Sequence, residues 1–193
     1  MPKRVGVLAL QGDFEAHRVA LERAGALALE VRSEAELAGL DGLVIPGGES
    51  TTMLRILKDQ ALLEPLRNFG RQRPIFGTCA GAILLASEVA HPAQESLGLM
   101  DLAVERNAYG RQLDSRVVRL VPEPEFARRA GPGELEAVFI RAPIIRRVGP
   151  RALILLRYQG DPVLVSDGPH LAATFHPELA ADPRVHKLFL EML

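Results

Sequence analysis

The stretch Pro74-Ile75-Phe76-Gly77-Thr78-Cys79-Ala80-Gly81-Ala82-Ile83-Leu84-Leu85-Ala86 constrains this chain more than any other. It reads as a short buried strand, a sharp turn and a helix, with Gly77 and Gly81 bracketing Cys79 in a G-x-C-x-G pattern. That is a nucleophile elbow with Cys in place of the more familiar Ser. Side chains at the two glycines would collide with the neighbouring strand and helix, so the tight turn requires glycine there. The elbow lifts the sulfur clear of the sheet edge. It also sets Cys79 at a helix N-terminus, where the positive dipole end favours thiolate over thiol. A lone cysteine is ordinarily a small buried hydrophobe. Here strand, paired glycines and helix converge on one residue and make it a nucleophile candidate.

An elbow needs a parallel sheet beneath it, and the chain in order supplies one. Residues 5–10 and Gly42-Leu43-Val44-Ile45 are near-continuous apolar runs, suited to parallel strands covered on both faces. Between them Asp13 caps a helix from Phe14 to Ala24, Gly25 ends it, and a short strand follows over 28–31. Ser33 then caps a helical turn through Leu37. Short connections between strands and helices imply right-handed crossovers. After Ile45 comes Pro46-Gly47-Gly48-Glu49-Ser50-Thr51-Thr52, with Ser50 or Thr51 capping a helix through Leu57 and a second helix over 61–69. The second half reads differently. Extended segments are expected over 102–107, 116–121 and 137–143, and 152–158 and 163–166 form a hairpin around Gln159-Gly160-Asp161-Pro162. Residues 122–133 read as a Pro- and Gly-punctuated surface segment. A last strand over 171–175 delivers His176-Pro177-Glu178, and Asp182 with Pro183 opens a terminal helix. The expected fold is α/β: a three-layer sandwich, flavodoxin-like, with a mostly parallel central sheet and antiparallel additions in the second half.

Length and charge narrow the function. The chain has 193 residues, enough for one domain with a full core, so a single domain over 1–193 is expected. A net charge of −1 gives no pull toward nucleic acid or anionic lipid. No apolar run approaches a membrane span, and the N-terminus runs straight into a strand without a leader, so a soluble cytoplasmic protein is expected. One cysteine excludes an internal disulfide and a cysteine-rich zinc site.

A cysteine nucleophile needs a base, and the base needs an orienting group. Of five histidines, His17 and His186 fall in helices and read as surface residues, and His91 and His170 as ordinary loop residues. His176 terminates an apolar strand and emerges at the same sheet edge as the elbow. Glu178 lies two residues on, the same face of an extended segment, so its carboxylate can accept from one ring N–H and leave the other nitrogen to Cys79. The loop at Gly47-Gly48 ends a neighbouring strand. Gly48 N–H and Ala80 N–H would then supply the two donors of an oxyanion hole.

Taken together, Gly77-Thr78-Cys79-Ala80-Gly81, Pro46-Gly47-Gly48-Glu49-Ser50 and Phe175-His176-Pro177-Glu178 resemble the triad class (class I) of glutamine amidotransferases. Leu8-Ala9-Leu10-Gln11-Gly12-Asp13, Gly47-Gly48-Glu49-Ser50-Thr51-Thr52-Met53, Glu105-Arg106-Asn107-Ala108-Tyr109-Gly110-Arg111-Gln112 and Phe139-Ile140-Arg141-Ala142-Pro143 are similar to one branch of it, the glutaminase subunits of pyridoxal 5′-phosphate synthase. The resemblance runs nearly end to end. One departure is Ile144, where that branch often has His.

The resemblance implies Cys79 as nucleophile, His176 as general base and acid, and Glu178 as its orienter. Gly47, Gly48, Glu49, Arg106, Ile140 and Arg141 would hold L-glutamine. It also implies no cofactor or metal, and a separate (β/α)-barrel synthase subunit that consumes the ammonia and activates the glutaminase on docking by correcting the Gly47-Gly48 peptide. Other readings are the glutaminase of another synthase, such as that of imidazole glycerol phosphate, a cysteine hydrolase of similar topology, or a non-catalytic binding subunit. The stretches at 106–112 and 140–143 weigh against the first, and the intact Cys79, His176 and Glu178 against the last.

Overall fold

A computed structural model describes residues 1–107 and 115–193. Tyr109-Gly110-Arg111-Gln112, part of the resemblance above, lies outside the described residues. The first half runs β1 (Arg4–Leu8), α1 (Phe14–Ala24), β2 (Leu27–Val31), β3 (Gly42–Ile45), α2 (Ser50–Asp59), α3 (Leu63–Gly70), β4 (Ile75–Thr78) and α4 (Ala80–Leu85). The second half runs β5 (Ala86–Ala90), β6 (Met100–Glu105), β7 (Arg116–Leu120), α5 (Pro124–Ala130), β8 (Leu135–Phe139), β9 (Ile144–Val148), β10 (Leu153–Tyr158), β11 (Asp161–Asp167), β12 (His170–Ala173) and α6 (Arg184–Glu191).

Seven strands form the main sheet in the order β10-β11-β12-β4-β3-β1-β2. The five from β12 to β2 are parallel; β11 and β10 add on antiparallel. The chain leaves β1 toward β2 and returns to β3 on the other side, so the sheet changes winding direction between β1 and β3. Open α/β sheets bind ligands outside the carboxyl ends of the strands at such a point. The flavodoxin-like expectation holds, with β12 in the fifth parallel position.

Alternation along each strand divides its side chains between two cores. Leu43 and Ile45 of β3 face one side with Ile75, while Val44 and Phe76 face the other. Both faces are covered, which is why these strands carry no polar alternation. Met53 and Leu57 of α2, Leu66 of α3 and Leu84 of α4 fill the first side, together with Leu102 and Val104 of β6. On the opposite side pack Leu21 of α1, Phe126 of α5, and Leu188 and Phe189 of α6. Among the described residues no helix is long and apolar enough to cross a membrane.

Several sequence expectations need correction. Residues 122–133 contain α5, started by Pro124 at its first turn, and Phe126 is fully buried. Periodicity was masked because only Phe126 of so short a helix is fully buried, with Ala130 partly buried beside the same core. Residues 61 and 62 stand before α3, and Ala61 takes a positive φ of 54°. His17, His170 and His186 are not surface residues; all three are buried, and each finds a hydrogen-bond partner inside. Ile144 opens β9 opposite Glu105 and is buried.

Candidate active site

β4 ends at Thr78, and the chain turns through Cys79 at φ 48° and ψ −103° into α4. A non-glycine residue in this region is strained, and such strain clusters at functional sites. The surroundings hold it there. Cys79 N–H donates to Ala173 O of β12 at 2.8 Å, and Cys79 O accepts from Ile83 N–H at 3.2 Å. The glycines act as expected: a Cβ on Gly77 would sit 2.5 Å from the Gly81 carbonyl, and one on Gly81 would collide with the Ile45 carbonyl of β3.

β12 pairs with β4, so its carboxyl end lies beside the elbow. The chain continues to His176, whose N–H donates to Val138 O at 2.8 Å. His176 Nδ1 is 2.7 Å from Glu178 Oε1, and the Glu178 side chain is wholly buried. The link is not the extended segment read from the sequence. Residues Pro177–Leu179 form a 3-10 turn, which brings the carboxylate back under its own histidine. Burial pulls the His176 imidazolium down, but hydrogen bonds to Cys79 and Glu178, with their charges, outweigh it and raise His176 from 6.5 to about 10. With Nδ1–H given to Glu178, Nε2 is left for the sulfur.

A cleft of about 310 Å³ opens over Cys79 and His176. Gly48, Glu49, Arg106, Ile140 and Arg141 line it as well. Gly47 lies under the His176 ring and Cys79 Cβ, Ala80 opens α4, and Glu178 sits behind His176. Cys79 Sγ is 4.0 Å from Ile140 O, and Arg141 takes a positive φ of 44° where the chain passes the cleft.

Neither Ser50 nor Thr51 caps α2. Glu49 does: its carboxylate accepts from Thr51 N–H at 3.0 Å, Thr52 N–H at 2.7 Å and Thr52 Oγ1 at 2.7 Å. Partial burial pushes this carboxyl up, but the hydrogen bonds from Thr52 and Thr51 dominate and bring it from 4.5 to about 2. Arg106 Nη2 stands 3.6 Å from Glu49 Oε1 and donates to Thr51 Oγ1 at 2.8 Å. The Arg106 side chain is 11 % exposed, far from the solvated charge that its sequence position alone suggests.

Gln11, which the sequence marks within the stretch 8–13 but assigns no role in the site, lines the cleft. Its Oε1 accepts from Glu49 N–H at 3.0 Å and crowds Gly48. The signal was its place just past the carboxyl end of β1, at the edge where the winding reverses.

The SNO glutamine amidotransferase family matches residues 7–193. A pyridoxal 5′-phosphate synthase subunit PdxT of Solibacter usitatus is 60 % identical over 191 residues, covering 99 % of this chain and 100 % of its own. One of the same name from Thermus thermophilus is 49 % identical over 191 residues, covering 97 % and 96 %. A crystal structure of a glutamine amidotransferase superposes with a TM-score of 0.88 at 46 % identity over 97 % of both chains. PurLQS from Thermotoga maritima, at 17 % identity and a TM-score of 0.77 over 99 % of both chains, shares the fold.

Proposed function

Because the chain belongs to the SNO glutamine amidotransferase family, we propose that residues 1–193 work as one glutaminase domain whose ammonia feeds pyridoxal 5′-phosphate synthesis. The enzyme is a glutamine amidohydrolase. Its relatives of 60 % and 49 % identity are subunits of pyridoxal 5′-phosphate synthase, and this chain is the same kind of subunit, working with a synthase partner. The observation that carries the mechanism is the His176 Nδ1 to Glu178 Oε1 bond of 2.7 Å beside the Cys79 elbow.

Glutamine enters the cleft with its α-carboxylate toward the Arg106 guanidinium, whose planar fork suits a carboxylate. The Ile140 carbonyl and the Arg141 backbone fix the amino-acid end, and Gly47, Gly48 and Glu49 close the other wall. Cys79 attacks as thiolate, its proton held on His176. The S–C bond forms and the carbonyl electron pair moves onto oxygen. Gly48 and Ala80 N–H groups hold that oxyanion, worth about 3 kcal/mol for each donor. His176 gives its proton to the amide nitrogen, the C–N bond breaks, and ammonia leaves with a glutamyl thioester behind. Water then attacks the thioester, His176 takes its proton, and the thiolate leaves with glutamate released.

The partner is a (β/α)-barrel synthase subunit, and its docking turns the Gly47–Gly48 peptide so that the oxyanion hole is complete. Gly48 at φ 153° is in a region open to glycine, which supports such a turn. Ammonia release from glutamine is measured for the chain alone, with the synthase subunit, and for Cys79→Ala. A sharp rise on mixing that vanishes in the variant is expected. Cys79-dependent hydrolysis indifferent to the synthase would discard the partner, and no Cys79-dependent hydrolysis would discard the glutaminase.

A further inference from the structure

Behind Glu178, away from Cys79, two histidines lie in the interior that the reaction above does not use. His17 of α1 and His186 of α6 are 0 % and 1 % exposed. His17 Nδ1 is 3.1 Å from His186 Nε2. His17 Nε2 is 2.9 Å from Thr78 Oγ1 and 3.2 Å from Glu178 Oε2. Thr78 immediately precedes the nucleophile, so one ring touches both the elbow and the carboxylate that orients the base. Phe76 meets both imidazoles edge-on, with centroids 6.2 Å and 5.9 Å away, and fixes their planes.

The triad alone leaves half of Glu178 unexplained. Oε1 takes the His176 N–H, but Oε2 is buried and makes no hydrogen bond of good geometry among the described residues. Buried carboxylate oxygens are rarely left so. The donor within reach is His17 Nε2, angled between Thr78 and Glu178.

Resting on the glutaminase reading, we propose that His17 is a positioning residue: neutral, with its proton on Nε2, it donates to Glu178 Oε2 and holds the carboxylate against His176. The tautomer follows from the neighbours. A proton on Nδ1 would let the Nε2 lone pair accept from the Thr78 hydroxyl at 2.9 Å, but it would also set that lone pair against the Glu178 carboxylate at 3.2 Å and leave Oε2 without a donor. With the proton on Nε2, Nδ1 must accept, and His186 Nε2 is the donor. The hydrogen bonds then run from His186 to His17 to Glu178, and from His176 to Glu178, clamping the carboxylate from both sides while Thr78 ties the clamp to the elbow. The groups facing His17 are Glu178, His186, His176 and the Thr78 hydroxyl. Burial, with the nearby His186 and His176 charges, keeps His17 well below its ordinary 6.5, and burial takes His186 to about 4. Both rings are therefore neutral near pH 7, as the pattern requires.

The test uses the complex with the synthase subunit and two variants. In His17→Gln the amide nitrogen reaches the place of Nε2 and keeps a donor for Glu178. In His17→Asn the shorter amide reaches only the place of Nδ1. We expect His17→Asn to lose about tenfold in kcat with KM little changed, and His17→Gln to recover most of it. With Glu178 loosened, part of the support for the His176 imidazolium goes. The alkaline limb of kcat/KM should then move to lower pH in His17→Asn only. Wild-type kinetics in His17→Asn, or equal loss in both variants with equal loss of melting temperature, would overturn the proposal. Nitrogen-15 NMR of the wild-type chain supplies a readout free of folding effects: an Nδ1–H tautomer or an imidazolium at His17 at pH 7 would also overturn it. If the wild-type complex releases no ammonia from glutamine, the glutaminase reading fails by itself. His17 is then judged by the tautomer and by the pH dependence of Cys79 alkylation in the same variants.

Discussion

Gly81 of α4 packs so tightly on Ile45 of β3 that a methyl group on it would fall well inside van der Waals distance of the Ile45 carbonyl oxygen. This contact seats α4 directly on β3 and sets the height of the elbow over the sheet. Gly81→Ala must push the helix outward. We expect a destabilisation of about 1–3 kcal/mol and loss of nearly all Cys79-dependent ammonia release, read by thermal melting and a coupled glutamate assay.

Glu178→Gln replaces the buried carboxylate that accepts from His176 by a neutral amide. The expected fall in kcat is about ten-thousandfold, as for loss of an orienting carboxylate, with KM nearly unchanged. Glu178 is one support of the raised His176 value of about 10. The imidazolium should therefore lose its proton at lower pH, and the alkaline limb should move down. A profile that keeps its alkaline limb would show that Glu178 does not hold the base.

Stability should decline as pH falls from about 6.5 toward 4. His186 is lowered to about 4, so across this window the unfolded chain binds a proton that the folded chain refuses. The loss from His186 alone reaches roughly 3 kcal/mol at the acid end, and His17 adds to it in the same direction. His176 works oppositely: its contribution is complete below 6.5 and is lost as pH rises through about 10, so it leaves the acid slope intact. Urea unfolding at a series of pH values measures the slope, and His186→Gln should flatten it in part.

Glu49→Ala removes the cap of α2 at the mouth of the cleft. We expect a loss of about 1 kcal/mol and a rise in KM for glutamine larger than the fall in kcat, since Arg106 loses a neighbour at 3.6 Å. An unchanged KM would separate the cap from substrate binding.

Phe126→Ala tests the one helix that the sequence hid. Its fully buried ring joins α5 to the core on the α6 side, so the truncation should cost about 3–5 kcal/mol. A surface segment would lose almost nothing in the same chemical denaturation.

Much of this molecule was legible because its signals are local. α1 and β3 occupy the expected residues, and the elbow glycines, Cys79 and the strand leading to His176 were all marked by spacing or by unbroken apolar runs. Glu178 was named for the right partner but by the wrong local geometry, since a proline-started 3-10 turn replaces the extended chain. α5 was missed because a helix of seven residues with one fully buried side chain has no readable period.

The sequence by itself determined the sheet, the elbow and which cysteine and histidine meet at its edge, because apolar runs and glycine spacing act over a few residues. Only the tertiary structure decided the fate of the polar side chains outside Cys79, His176 and Glu178. His17 and His186, 169 residues apart, look like ordinary helix-surface residues until α1 and α6 pack on the same face of the sheet and bury them behind Glu178. Glu49 and Arg106 likewise become a cap and a cleft wall only where α2 and β6 converge. A polar side chain's role is set by which partners replace its water, and those partners arrive from distant parts of the chain.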